Sequence, residues 1–500
     1  MMDVQTSVIG IDTLVGTAVS QALIDSEIPL PDGRVAAAVL SAGAQLGACQ
    51  AEAQKDEVRA GGSLTLQLLC QSPSGEVFGF SASSTFVHSM ELAGAAEGMA
   101  ASAGAQVLEC SCTVDGAKLH LSAVLELSAS VVAPVADPLV TGITGIAGLE
   151  SRQQTVKTRR SALLATHSVR IREEISAPTA AQVLLYHGTA QVREMVYNGT
   201  ALTVEGSLYA TVLTASDEGQ LTQQTQIIPF TEVFDAPYAE TAWTVATVEQ
   251  VSAVAADMSF GVADVEALVQ LRVYGLETAE QQVLSDAYDE SAAFHCVQSS
   301  FEQLLCSGAE QKRFPFREGV QIPSHLPDAY RMIYASAIAA MTGAFETEDG
   351  RLGIDAMVFA TVLYQCDGGQ LHSFPYDLPL QLVLDAPYTP DARVDLQVLS
   401  AQLTGSGRTP ELLLTLEAQA VLYGRQSLCA VTAVQPDDAE EQAAARGIII
   451  YCAGAGETLW DVGKRFRVTL GALAGWNADL PETPDPSMPL QEGAHLVLLR

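Results

Sequence analysis

Few residues of this 500-residue chain stand where chemistry would need them. Cys110 and Cys112 are two apart, which on a strand puts both sulfurs on one face. Two thiols alone make a poor zinc site, since structural zinc takes four ligands, so burial as small hydrophobes is the simpler reading. His295 and Cys296 adjoin, with no second ligand pair nearby in sequence. Asn198-Gly199-Thr200 fits a glycosylation acceptor and also an Asn-Gly hairpin turn; without an export signal the turn is expected. The neighbouring acids Glu173-Glu174 and Glu440-Glu441 would point to opposite faces of a strand and read as solvated charge. No Walker loop, HExxH, GxSxG or CxxC occurs. A non-enzyme without metal or other cofactor is expected.

Composition narrows the partners. With 25 Lys+Arg against 59 Asp+Glu the formal charge is −34, which repels nucleic acid phosphates and anionic lipid heads. One basic run stands out, "SRQQTVKTRRSALLATHSVRIR" at 151–172, with six Lys/Arg and no acid. It reads as an edge strand or linker kept soluble by charge, or as a contact for an acidic partner. The opening "MMDVQTSVIGIDTLVGTAVS" lacks a basic n-region, and no uncharged stretch is long enough to span a bilayer, so neither export nor membrane insertion is expected. Nine scattered cysteines suit a reducing cytosol.

Alternation organises the rest. In "LTVEGSLYATVL" residues Leu202, Val204, Gly206, Leu208, Ala210 and Val212 share one face and Thr203, Glu205, Ser207, Tyr209 and Thr211 the other, the period of a half-buried strand. Related wording occurs at 61–78, 205–221 and 355–371, each ending in a polar turn at Gly75, Gly219 and Gly369, offset by 144 and then 150 residues. The second and third copies share DAPY at 235–238 and 385–388, and each runs on into a second alternating strand. This is a long-period repeat. It predicts three strand-rich units of antiparallel, two-layer, sandwich-like form, at 1–147 (divergent), 148–290 and 291–435. The polar stretch 276–313 reads as a helix or linker, and 436–446 as an acidic, Ala-rich tether to a small last module at 447–500.

In that module "RGIIIYC" reads as a strand, Thr458 and Asp461 as a capping box, Leu459, Val462 and Phe466 as one helix face, Thr469 as the cap of a second helix, and "HLVLL" as a closing strand. The β-α-α-β order, Tyr451, "GETLW" at 456–460, Phe466, Leu473, Asn477 and Gly493 resemble the LysM family. The resemblance implies a small α+β fold whose shallow groove, between the first strand–helix loop and the loop after helix two, holds N-acetylglucosamine-containing glycan. By position that groove comprises Gly454, Ala455, Gly456, Glu457 and Thr458 with Asn477, Met488 and Leu490. Gly454 and Ala455 depart from the family's polar residue and proline, Glu457 replaces its Asp, and Pro481, Pro484 and Pro486 lengthen the second loop. Such a rim loses donors for sugar hydroxyls and suits protein contact. Trp460 and Trp476 fall on the apolar faces of their helices and are expected in the core. Lys464 and Arg465 read as an exposed pair of docking cations.

The repeats, with "IPF" at 228–230 and DAP at 235–237, resemble the SPOCS repeats of bacterial spore-coat assembly proteins. Three such units before one LysM module match the SipL-like, SPOCS-plus-LysM arrangement. The resemblance implies a cytoplasmic protein of the mother cell, located at the forespore and spore-coat surface. There it would act as a non-enzymatic scaffold linking the coat's basement ATPase, or another coat morphogenetic protein, to the developing spore. The alternatives are a glycan-binding protein of wall or cortex, recognising peptidoglycan or chitin-type sugars, and a carbohydrate-active enzyme tethered by its LysM module. The enzyme would need two carboxylates flanking a cleft, and the repeats supply no such pattern.

Overall fold

The computed structural model describes residues 2–499 except 147, 178–181, 236–240, 258–260, 291–293, 437–446, 482 and 484. The tether read at 436–446 therefore lies almost wholly outside the described residues, as do Glu440-Glu441, Pro484 and most of the first DAPY. The chain is mainly β and its strand pairs are antiparallel. Among the described residues no helix is long and apolar enough to cross a membrane.

The strands fall into three sets in chain order. The first holds β1 (Asp3–Ser7), β2 (Asp12–Pro29), β3 (Ala38–Leu46), β4 (Gln50–Gln54), β5 (Glu57–Gln71), β6 (Val77–Glu91), β7 (Ala100–Asp115), β8 (Lys118–Pro134) and β9 (Leu139–Thr144). The second holds β10 (Leu149–Ser176), β11 (Gln182–Tyr197), β12 (Ala201–Ala215), β13 (Leu221–Asp235), β14 (Trp243–Asp257) and β15 (Val262–Asp289). The third holds β16 (Phe294–Gly319), β17 (Ala329–Glu346), β18 (Arg351–Cys366), β19 (Leu371–Pro387), β20 (Arg393–Thr404) and β21 (Glu411–Pro436). The last module comprises β22 (Ile448–Cys452), α1 (Leu459–Phe466), α2 (Leu470–Trp476) and β23 (His495–Leu499).

Each set builds the same pair of sheets. In the second, β11-β12-β13 faces β10-β15-β14, and the two share one apolar core that includes Ile171, Ala190, Leu208, Phe230 and Val269. The third repeats this as β17-β18-β19 and β16-β21-β20, and the first as β3/β4-β5-β6 and β2-β8-β7. The 144- and 150-residue offsets carry β5 onto β12 and β12 onto β18. The turn after each is the same: Ser72, Ser216 and Cys366 donate their N–H to Glu76, Gln220 and Gln370, and accept from the N–H of Gly75, Gly219 and Gly369. Those three glycines have φ of 90°, 75° and 79°, the left-handed region where only glycine avoids strain. A close approach requires a fourth. A Cβ on Gly206 would lie 2.1 Å from the Phe230 ring, its cross-strand partner, and Gly62 faces Phe86 in the same register in the first unit.

The units meet around shared cores. Leu40, Leu184 and Tyr334, and likewise Leu69, Leu213 and Leu363, are spaced by the repeat offsets and come together in one cluster. At the other end Val140, Leu284 and Val434, again equivalent, pack where three two-stranded ribbons converge. The arrangement is that of a trimer written in one chain. A single bridge, Gln303 to Thr13, joins the first and third units into one six-stranded sheet. Elsewhere glutamine amides stitch unit to unit through main-chain groups. Gln106 bonds Met341 at both its N–H and its carbonyl, Gln223 bonds the Ala335 N–H and the Ala401 carbonyl, Gln311 bonds Val192, and Gln397 bonds Ala190. A primary amide carries the donor and acceptor of a peptide group, so it satisfies a strand edge that would otherwise face nothing.

Two expectations need correction. The stretch 276–313 is strand at 276–289 in β15 and at 294–313 in β16, with a bend at Glu290. Residues 277–280 are exposed, and Lys157 pairs with Glu280 at 2.8 Å across the ribbon, so a solvated two-stranded ribbon gives no alternating pattern to read. The second face of β12 is not solvated: Ser207, Tyr209 and Thr211 are buried with Leu208 and Ala210. Tyr209 donates to Gln191 and accepts from Arg313 of the third unit, because the neighbouring unit covers that face. The Asn198-Gly199 turn does close the β11-β12 hairpin, with the Asn198 side chain accepting from the N–H of Ala201 at 2.8 Å.

Candidate binding site in the terminal module

The module's first helix begins as its sequence implies. Thr458 accepts from the Asp461 N–H, and Asp461 accepts from the Thr458 N–H, a complete capping box. The next amides are met by the second loop: Leu459 donates to the Met488 carbonyl at 3.2 Å and Trp460 to that of Pro486 at 3.3 Å. Leu490 donates back to Glu457 at 2.8 Å. The end of the second loop, 486–490, is thus hydrogen-bonded to the start of α1 and to Glu457 of the first loop. Thr469 caps α2 by accepting from Ala472, and β22 pairs with β23 to complete β-α-α-β.

Little polar capacity remains in that site. The Glu457 carboxylate accepts from the Gly454 N–H at 2.8 Å, from the Tyr451 hydroxyl and from Arg465. The Gly454 N–H, then the Tyr451 hydroxyl, hold it below the usual carboxylate range. Asn477 is buried: its amide donates to the carbonyls of Leu473 and Val497 and accepts from the Val497 N–H, tying α2 to β23. Leu490 is buried in the module core and Met488 packs against it. Gly454, Ala455 and Gly456 are exposed, with Gly456 at φ 78° in the turn before the cap. Of the residues assigned to the groove, these three are exposed, Glu457, Thr458 and Met488 are half-buried, and Asn477 and Leu490 are buried.

The expected docking cations are not free. Lys464, 46% exposed along its side chain, reaches both carboxylate oxygens of Asp286 at 2.6 and 2.8 Å, and Asp286 is 7% exposed. Arg465 pairs with Glu457 at 2.8 Å and lies over the Tyr451 ring. Asp286 belongs to the end of β15, so α1 is latched onto the second unit. Trp460 joins the same latch: its indole N–H donates to Asp286 at 2.9 Å, its ring meets Tyr288 edge-on at 4.9 Å, and Arg152 lies over it at 5.6 Å. The Tyr288 hydroxyl donates to the Val468 carbonyl at 2.9 Å, and Glu150 accepts from the Leu470 N–H at 3.0 Å. Gly463 permits this approach, since a Cβ there would stand 2.3 Å from the Tyr288 hydroxyl oxygen. Trp460 is core, as expected, but it is core to the junction as well as to the module. Trp476 is half-buried against the module core.

The sequence reading missed a cavity of about 500 Å3 where the three units meet. Its lining includes Gln67, Glu109, Cys110, His187 and Asp377, and no Lys or Arg. His187 bonds Thr189, and burial lowers its pKa so that the imidazole is neutral near pH 7. Burial pushes the thiols of Cys110 and Cys112 up to about 11 and about 12, which leaves them protonated and unreactive. Among the described residues no three His, Cys, Asp or Glu side chains converge as metal ligands. Glu173 and Glu174 are both exposed. No family model matches the chain, and no curated protein and no solved structure matches it.

Proposed function

We propose that the chain is a non-enzymatic scaffold of bacterial spore-coat assembly, with three SPOCS-like units followed by a LysM-like module. In this reading it works in the mother-cell cytoplasm at the forespore surface and links the coat's basement ATPase, or another coat morphogenetic protein, to the developing spore. The observation that carries the reading is a unit of two antiparallel sheets made three times around shared cores, then a β-α-α-β module whose cap and turn residues keep the LysM order. The state of the groove favours protein contact over sugar. Glu457 and Asn477, its principal polar side chains, are consumed by bonds inside the module, and a site whose polar side chains are already paired gives a glycan little to replace its water.

The test is a pull-down from sporulating cells with the full chain and with a chain lacking 447–500, alongside calorimetric titration of the full chain with N-acetylglucosamine oligomers. The scaffold reading expects a coat protein retained by the full chain, weakened by the truncation, and no saturable heat with the sugar. Micromolar binding of the oligomers with no coat protein captured would replace it by the glycan-binding alternative.

A further inference from the structure

A second cavity, of about 190 Å3, lies where the three units meet, and its chemistry runs against that of the chain. The second unit supplies Arg159 and Arg160 from β10, the third supplies Arg393 and Tyr423, and the first supplies Asp12 and Ser102. Three arginines thus line one cavity in a protein whose formal charge is −34. The basic run of β10 supplies two of them, and the ribbon shows which of its cations are already answered. Lys157 pairs with Glu280, Arg170 with Glu266 and Arg172 with Asp264, all on β15, while Arg152 lies on Trp460. Arg160 pairs with Asp12 at 2.6 Å, yet its Nε is buried without a hydrogen-bond acceptor. Arg159 has no carboxylate partner among the described residues. Arg393 has none either: it donates to the Ser102 hydroxyl at 2.7 Å and stacks over the Tyr423 ring at 4.8 Å.

The acids in reach are Asp12 and Glu277, which stands opposite Arg160 on β15. Three positive charges against these two leave the cluster net positive by one. Gly10 completes the shape, since a Cβ there would sit 3.0 Å from the Arg160 guanidinium.

We propose that this three-arginine cavity at the junction of the units binds a small oxyanion, a phosphate or compact carboxylate group, held by Arg159 and Arg393 with Arg160 behind them. Guanidinium groups present forked donors that match such oxygens, and the space is large enough for one small anion. Binding there ties the second unit to the third through charges that otherwise repel one another.

The probes are inorganic phosphate and citrate, titrated separately into the full chain at low ionic strength, with Arg159→Gln, Arg393→Gln and, as a control, Arg317→Gln, whose partner is Glu411 on the surface. Saturable binding of at least one probe is expected, weakening with added salt and falling about tenfold or more in Arg159→Gln and Arg393→Gln, while the control stays at the wild-type value. Preference for phosphate identifies a phosphoryl ligand and preference for citrate a carboxylate. Arg159 is exposed, so its variant should keep the wild-type circular dichroism and unfolding midpoint, which separates lost binding from lost fold. No saturable binding of either probe to the wild type, or binding unchanged in both cavity variants, overturns the proposal.

Discussion

Replacing Asp286 by Ala should release the terminal module while leaving it folded. Asp286 is the hub of the latch, since it accepts the Trp460 indole N–H and both contacts from Lys464. Its removal leaves a buried indole donor unpaired, which costs about 1–3 kcal/mol. Lys464 is nearly half exposed and recovers water, so its lost pairing is worth only about 1 kcal/mol. Together these weaken docking by about 3 kcal/mol, or about 100-fold in the docking equilibrium. Asp286→Asn keeps an acceptor for the indole and loses the charge, so it should weaken docking by about 1 kcal/mol. Hydrogen exchange at residues 463–470 and at the end of β15 reads the docked population, and small-angle scattering reads the release. A cycle of Asp286→Asn with Lys464→Met isolates the ion pair. If Asp286→Ala leaves both exchange and scattering at wild-type values, the latch is held by its other contacts, those of Tyr288, Glu150 and Arg152 among them, and the assignment of Asp286 as its hub is wrong.

Three further outcomes follow from the packing. In the second unit Gly206→Val and Leu208→Asp should each lower unfolding free energy by about 3 kcal/mol or more, and so should Ser207→Asp, because its position is 1% exposed and its hydroxyl has no partner to spare; Thr203→Asp, half-buried at most, should be mild in the same denaturant titration. Burial raises the pKa of Glu417 above the usual carboxylate value, against the opposing bonds from Gln311 and Gln397, so its folded form favours the proton. Its contribution is therefore most favourable below about pH 4.5 and is lost as pH rises through the raised folded value; Glu417→Gln should flatten that part of the stability–pH curve, and an unchanged curve counts against the assignment. Asn477→Ala removes two bonds to Val497 of β23 and one back to Leu473 of α2 and should cost the module about 2–4 kcal/mol, seen as early exchange of the β23 amides before the repeats unfold.

The sequence by itself determined what is local and periodic. Alternation along 202–212 places Leu202, Val204, Leu208, Ala210 and Val212 in the core, the offsets of 144 and 150 place Gly75, Gly219 and Gly369 in identical turns, and Thr458, Asp461 and Thr469 mark the helix starts. Each depends on neighbours a few residues apart, or on a repeated pattern, so each leaves its mark in the string. Only the tertiary structure decided the second face of β12, the strand character of the polar ribbons, and the fate of the charged residues. Ser207 is buried by another unit, residues 276–289 are held as strand by β10 more than a hundred positions earlier, and Lys464 meets Asp286 across 178 positions. The candidate groove shows the same division: its backbone order was legible, but the bonds that consume Glu457 and Asn477 depend on how loops and strands close in space. A charged side chain looks alike in sequence whether it faces water, a partner or its own chain, because the group that answers its charge lies far away along the backbone.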